Sequence, residues 1–129
     1  MDKLEYIPGD LVSVYVGVKK YIVEVIGTEN ENEALLYQIK FPNGEIQYAD
    51  KDNIVPIPLT PEILEKNGWE KPDGFDSYWL DKIGLLQDGD VWHSALGSTK
   101  IAITLGNIQY VHELQHLFFG LGLNSEMEV

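Results

Sequence analysis

The chain has 129 residues, 44% hydrophobic and 11% aromatic, enough to bury one core or two small ones and too apolar for a disordered segment. Its 21 acidic and 9 basic residues give a formal net charge of −12, which repels a phosphate backbone and argues against extended nucleic-acid binding. Cysteine is absent, which excludes disulfides, thiolate metal sites and a cysteine nucleophile and suits a reducing cytoplasm.

All nine cations are lysines, so no guanidinium fork is available to grip a phosphate or carboxylate bidentately. The opening Met1-Asp2-Lys3-Leu4-Glu5 has no basic stretch leading into an apolar run, and no later segment approaches the roughly 20 apolar residues that cross a bilayer. An unexported chain away from the membrane, in the cytoplasm, is expected. The acidic surface is read as a solubility device; a basic protein partner and nucleic-acid mimicry are the other uses of such charge.

Pro8-Gly9-Asp10 is a turn, and Leu11 to Val16 places Val12, Val14 and Val16 on one face with period two, the pattern of a strand. After a turn at Gly17, the β-branched stretch Lys20 to Gly27 predicts a second strand, followed by a polar acidic loop from Thr28 to Glu33. Leu35–Phe41 and Glu45–Ala49 flank Pro42-Asn43-Gly44, and Asn-Gly between alternating apolar residues predicts a hairpin with Tyr37, Ile39 and Phe41 on one face. Asp50 to Asn53 reads as a polar or single helical turn, and Ile54-Val55-Pro56-Ile57 as a closing edge strand. Five short strands that open on Pro-Gly-Asp and close on Asp52-Asn53-Ile54-Val55-Pro56-Ile57 resemble SH3-like barrels of the Tudor and KOW type. That resemblance implies a five-stranded barrel over residues 1–58. Of Tyr15, Tyr21, Tyr37 and Tyr48, alternation sends at least half into its core.

Thr60 as N-cap, Pro61 at the first helical position, Glu62 in the first turn and Gly68 as the stop predict a helix over about 61–67. Ile63, Leu64 and Trp69 pack inward from it. From Lys71 the chain breaks into short segments around Pro72-Asp73-Gly74, Gln87-Asp88-Gly89-Asp90 and Gly97-Ser98, which predict three or four antiparallel strands or a meander. Asn107 is placed as the cap of an amphipathic helix over about 108–119, ended by Gly120, and Glu126 to Val129 as a terminal edge strand. The predicted class is therefore α+β: a barrel over 1–58, then an α+β half over 59–129.

Residues Ile57 to Trp69 and the closing Ile108 to Phe119, with a short Glu-containing tail, resemble a group of small uncharacterised proteins carried by phages and integrated elements of Bacteroidales-type bacteria. The resemblance spans roughly 57–129 and brings no activity with it. What it implies is a setting: a phage or mobile-element protein.

His112-Glu113-Leu114-Gln115-His116 matches the His-Glu-x-x-His pattern, in which two histidines one turn apart bind zinc and the glutamate activates metal-bound water. The surroundings depart from it. Phe119 and Gly122 stand where the extended pattern has glycine and histidine, and only Glu126 and Glu128 follow as carboxylate ligands; upstream, His93, Asp88 and Asp90 are the other candidates. A projection at about 100° per residue gathers Tyr110, Val111, Leu114, Leu117 and Phe118 on one side and Gln109, His112, Glu113 and His116 opposite, which predicts an ordinary solvent face. No Ser-His-Asp spacing, phosphate loop or dinucleotide fingerprint accompanies it.

Trp69, Trp79 and Trp92, with Tyr78, His93 and Lys100, are the candidate ligand-binding residues: the rings stack a base and Lys100 meets a phosphate. The same tryptophans also suit the core of a second domain. The sequence is read as a non-catalytic binding protein of a phage or mobile element, in counter-defence, that sequesters a nucleotide-type signal or inhibits a host protein, without a cofactor. The alternatives are a zinc-dependent hydrolase with Glu113 as base and His112 and His116 as ligands, and a structural or packaging accessory. A homo-oligomer stays open.

Overall fold

The computed structural model describes residues 5–31 and 34–129. The opening Met1 to Leu4, where an export segment was considered, and Asn32-Glu33 of the acidic loop lie outside them. The fold is α+β, mostly antiparallel, with two sheets and two short α-helices.

The first sheet holds β1 (Leu11–Val16), β2 (Lys19–Glu31), β3 (Ala34–Lys40), β4 (Ile46–Ala49) and β5 (Ile54–Val55) in the order β4-β3-β2-β1-β5. Consecutive strands pair as a meander, and β5 returns antiparallel to the open side of β1. Among the described residues no pairing joins the outer strands β4 and β5, so the five strands expected of a barrel are present without a closing pair. The hairpin at Pro42-Asn43-Gly44 is present, with Gly44 at φ 90°, a region glycine enters without steric cost. Tyr37, Ile39 and Phe41 share the buried face with Val12, Val14, Val23 and Val25. Val16, predicted on the same face, is exposed because β1 runs past the core before it turns.

Thr28 to Glu31, expected as loop, belong to β2 and pair with Ala34 to Tyr37. A bulge between Val25 and Gly27 shifts the register there. Bulges increase local twist and bend the strand, and beyond the bulge β2 continues as a polar, exposed strand beside the apolar Ala34 to Tyr37 of β3. Asp50 caps a 3₁₀ turn over Lys51–Asn53, as predicted for that polar stretch.

The second sheet holds β6 (Ser77–Leu80), β7 (Ile83–Asp88), β8 (Val91–Gly97) and β9 (Ala102–Ile108) in sequence order, the antiparallel meander that the turn residues predict. One face carries Ile83, Leu85 and Trp92, and it is covered by Ile57 and Leu59 of the connecting segment, by α1 (Pro61–Lys66) and by α2 (Val111–Gly120). The Thr60 side chain accepts from Ile63 N, so the predicted cap is in place. The connecting segment is itself paired: Leu59 N donates to Gln109 O and Val111 N to Ile57 O.

The C-terminal residues form no strand. Asn67, at the end of α1, grips them with both ends of its amide, donating to Glu128 O at 2.7 Å and accepting from Glu128 N at 2.8 Å. This imitates one rung of a ladder with a side chain, which explains why a strand pattern in the sequence ends as a strap. Lys66 Nζ adds a bond to Val129 O at 3.0 Å.

Candidate functional site

Helix α2 begins at Val111, three residues later than predicted. Asn107 and Ile108 belong to β9, and Glu113 starts the helix: its Oε1 accepts from Gln109 N and Tyr110 N, both at 3.0 Å. A glutamate reaching back over the first turn satisfies donors that the helix itself cannot.

The polar residues of α2 form in part a buried seam toward the Ile7–Leu11 turn: of the predicted solvent face, His112 is buried, while Gln109, Glu113 and His116 are half-buried. His112 is 5% exposed and Gln115 3%. Gln115 Oε1 accepts from Leu11 N at 2.8 Å, while its Nε2 donates to Gly9 O at 2.9 Å and to Ser125 O at 3.1 Å. His116 Nε2 lies 2.6 Å from Asp10 Oδ2, and the same buried oxygen accepts from Ile7 N at 2.9 Å. A helical projection shows which side is polar but not what stands opposite. Here it is the Ile7–Leu11 turn, whose backbone groups and carboxylate need polar partners.

His112 is enclosed by Tyr6 at 4.9 Å, Tyr110 at 5.9 Å and His116 at 5.5 Å between ring centroids. Its Nδ1 is buried without a hydrogen-bond partner among the described residues. Burial pushes the His112 pKa below the ordinary histidine value, with Asp10 pulling the other way; the ring is therefore neutral at pH 7. Burial likewise pushes the Tyr6 hydroxyl up to about 12.

The zinc alternative needs two free imidazole nitrogens and a free carboxylate on one side. His116 Nε2 is bonded to Asp10, one oxygen of Glu113 holds the start of the helix, and among the described residues no group of three His, Asp or Glu side chains is arranged to hold a metal ion. As arranged, His112, Glu113 and His116 do not fit a zinc centre.

Of the candidate ligand residues, Trp69, Tyr78 and Trp92 meet in the second core. Trp92 is fully buried and donates from Nε1 to Leu59 O at 3.0 Å; Tyr78 sets its edge on Trp92 at 6.0 Å, and Trp69 stacks on Phe118 at 5.9 Å. Strand alternation sends the neighbours Trp79 and His93 to the opposite face. Trp79 lies over Gly84, where a Cβ would stand 2.6 Å from the indole. His93 is held between Asn107 Oδ1 at 2.7 Å and Asp88 Oδ2 at 3.2 Å, and Lys100 is exposed in the β8–β9 turn.

The feature that sequence reasoning missed is the edge of the second sheet. Ile103 pairs across from Leu96, which packs against the core, so both point inward. Yet Ile103 is 69% exposed and Leu105, at the bulge in β9, is 37% exposed. Beside them a groove of about 330 Å³ runs between β9 and α2, lined by Ser94, Leu105, Ile108, Glu113, His116 and Leu117 among others. The signal in the sequence was Ala102 to Ile108, a strand without a single charged residue. What the sequence withholds is that this strand ends the sheet. Comparison with protein-family models, with curated proteins and with solved structures finds no match to the chain.

Proposed function

We propose that the chain is a non-catalytic binding protein that takes a protein partner along the open edge of its second sheet. One observation carries this reading. In a chain of net charge −12, the outer strand β9 has no charge from Ala102 to Ile108, and its inward residues Ile103 and Leu105 stand open. Soluble proteins guard such edges with lysine, proline or a covering segment, because unpaired strand groups recruit other strands. The bulge at Leu105 is the only such guard on β9 itself. Strand addition is a recurring mode of partner capture, with main-chain bonds giving affinity and alternate side chains giving specificity.

In the phage or mobile-element setting that the resemblance of residues 57–129 implies, the partner is a host protein and the consequence inhibition. The first sheet serves as an SH3-like scaffold in this reading, supported by the return of β5 to β1. Ile103→Lys places on the edge the guard that β9 lacks, at an exposed position the fold tolerates. With the tagged full chain as bait, a partner held by the parent and lost from Ile103→Lys is the expected result. Equal capture by both, or stoichiometric zinc together with a hydrolytic activity that His112→Ala removes, would overturn it.

A further inference from the structure

The groove has a chemistry that narrows the partner. We infer that it accepts an extended segment, added to β9 as a fifth strand of the second sheet, whose groove-facing side chains are apolar except for one lysine or arginine set at Glu113. The inference rests on the reading of the edge as a docking surface and names its occupant.

Three observations converge. First, among the described residues β9 pairs with β8 alone, so its outward backbone groups ask for a strand and not for a helix or a flat surface. Second, the inner wall is apolar at Leu105, Ile108 and Leu117, with Ile103 beyond the groove on the same face of β9. Every second side chain of an added strand meets that wall. Third, the charge in the groove is negative. Both cap bonds of Glu113 fall on Oε1, and Oε2 carries none among the described residues. His116 is already paired with Asp10, and no lysine lines the groove.

A second copy of this chain satisfies the first two observations and fails the third. Its β9 brings no cation to meet Glu113, and each copy carries a net charge of −12. Like-charged bodies associate slowly and weakly at low salt, whereas a basic strand is drawn in.

Fluorescence anisotropy on the full chain tests this, with a labelled peptide of β9's length as the valine–lysine probe, valine at its groove-facing positions except for one lysine and threonine between them, and the same peptide with glutamate for that lysine, the valine–glutamate peptide, beside it. The valine–lysine peptide is expected to bind, more weakly as salt rises. Binding should fall about two- to fivefold in Glu113→Gln, the size of an exposed ion pair, and about tenfold or more in Ile103→Lys, where a like charge meets the peptide. Glutamine keeps an acceptor for the helix start, and circular dichroism verifies the fold of each variant. Equal binding of the valine–glutamate peptide, or no effect of Glu113→Gln, overturns the assigned chemistry. A dimer in sedimentation that Ile103→Lys dissociates makes the second copy the occupant and overturns it too. If neither peptide binds while the parent still captures a partner that Ile103→Lys loses, this inference falls and the broader reading stands.

Discussion

The two halves of the molecule build their cores by different routes. The core of the first sheet lies between Tyr6 and Ile54 and consists largely of strand residues at every second position, packed by neighbours that follow one another in the chain. The core of the second lies between Ile57 and Phe118 and is assembled from a connecting segment, two helices and one face of a meander. Each helix of this protein covers the second sheet, and α2 also closes on β1 through a polar seam. The first core therefore follows from local alternation. The second requires parts distant in sequence to arrive together, and the seam makes the two depend on one another.

Removing the keystone of the second core tests that dependence most strongly. Trp92→Ala deletes a fully buried ring and leaves Leu59 O without its donor; losses of about 3–5 kcal/mol are usual for such truncations. If the seam couples the halves, the parent and the variant both unfold in a single denaturant transition, with fluorescence and far-ultraviolet dichroism coincident. Two separated transitions would show that the halves are independent.

A smaller loss is expected from Gln115→Ala, which acts on the seam alone. It strands Leu11 N and the carbonyls of Gly9 and Ser125, all of them part-buried, and a fully buried unsatisfied group costs about 1–3 kcal/mol. A fall of about 1–2 kcal/mol, at the low end of that range, with the two cores otherwise intact is the outcome anticipated from urea melts. A change within error would mean that water replaces the amide and that the seam is a weak joint.

This contrast explains what the sequence could disclose. The five strands of the first half, the hairpin at Asn43-Gly44 and the Thr60 cap were legible because each is written in neighbouring residues. Features set by distant parts of the chain were not. The start of α2 was misplaced because Asn107 looks like a cap, whereas Glu113 reaches back to Gln109 and Tyr110. The polar face of α2 was read as solvent because its partners, Gly9 to Leu11, lie over a hundred positions away in the chain, as in the separation of 106 residues between Asp10 and His116. Trp69, Tyr78 and Trp92 looked equally like a binding surface and a core until strand alternation and α1 and α2 set them in the interior. Periodicity reports that a face is apolar; what covers it is a tertiary fact.

The seam also predicts a pH response smaller than either truncation. His112 is buried, and its pKa is held low by loss of solvent, opposed by Asp10 and Glu113 and reinforced by His116; Tyr6 and Tyr110 enclose it. The unfolded chain binds a proton at this residue near its ordinary value of 6.5, and the folded chain does so only at lower pH. Stability therefore falls as pH drops below about 6.5 and levels off once the folded state is protonated as well. His112→Phe should flatten that limb of the melting profile. An unchanged limb would place its origin elsewhere.

The smallest effect belongs to a histidine outside the seam and has the opposite sign. His93 lies on the exposed face of the second sheet, where the hydrogen bond to Asp88, and then that to Asn107, raise its pKa above the ordinary 6.5. With oxygen at both ring nitrogens, the doubly protonated ring is the form this pair favours. Its contribution to stability is present below the unfolded value of 6.5 and is lost as pH rises through the folded one. Because the ring and Asp88 are open to water, solvent screens the pair and the melting temperature should hardly move. Nuclear magnetic resonance titration separates the two histidines directly: His93 titrates above His112, and Asp88→Asn moves His93 down while leaving His112 in place. If His112 titrated above His93, the enclosed seam would be admitting water, and its role in coupling the two sheets would lose its physical basis.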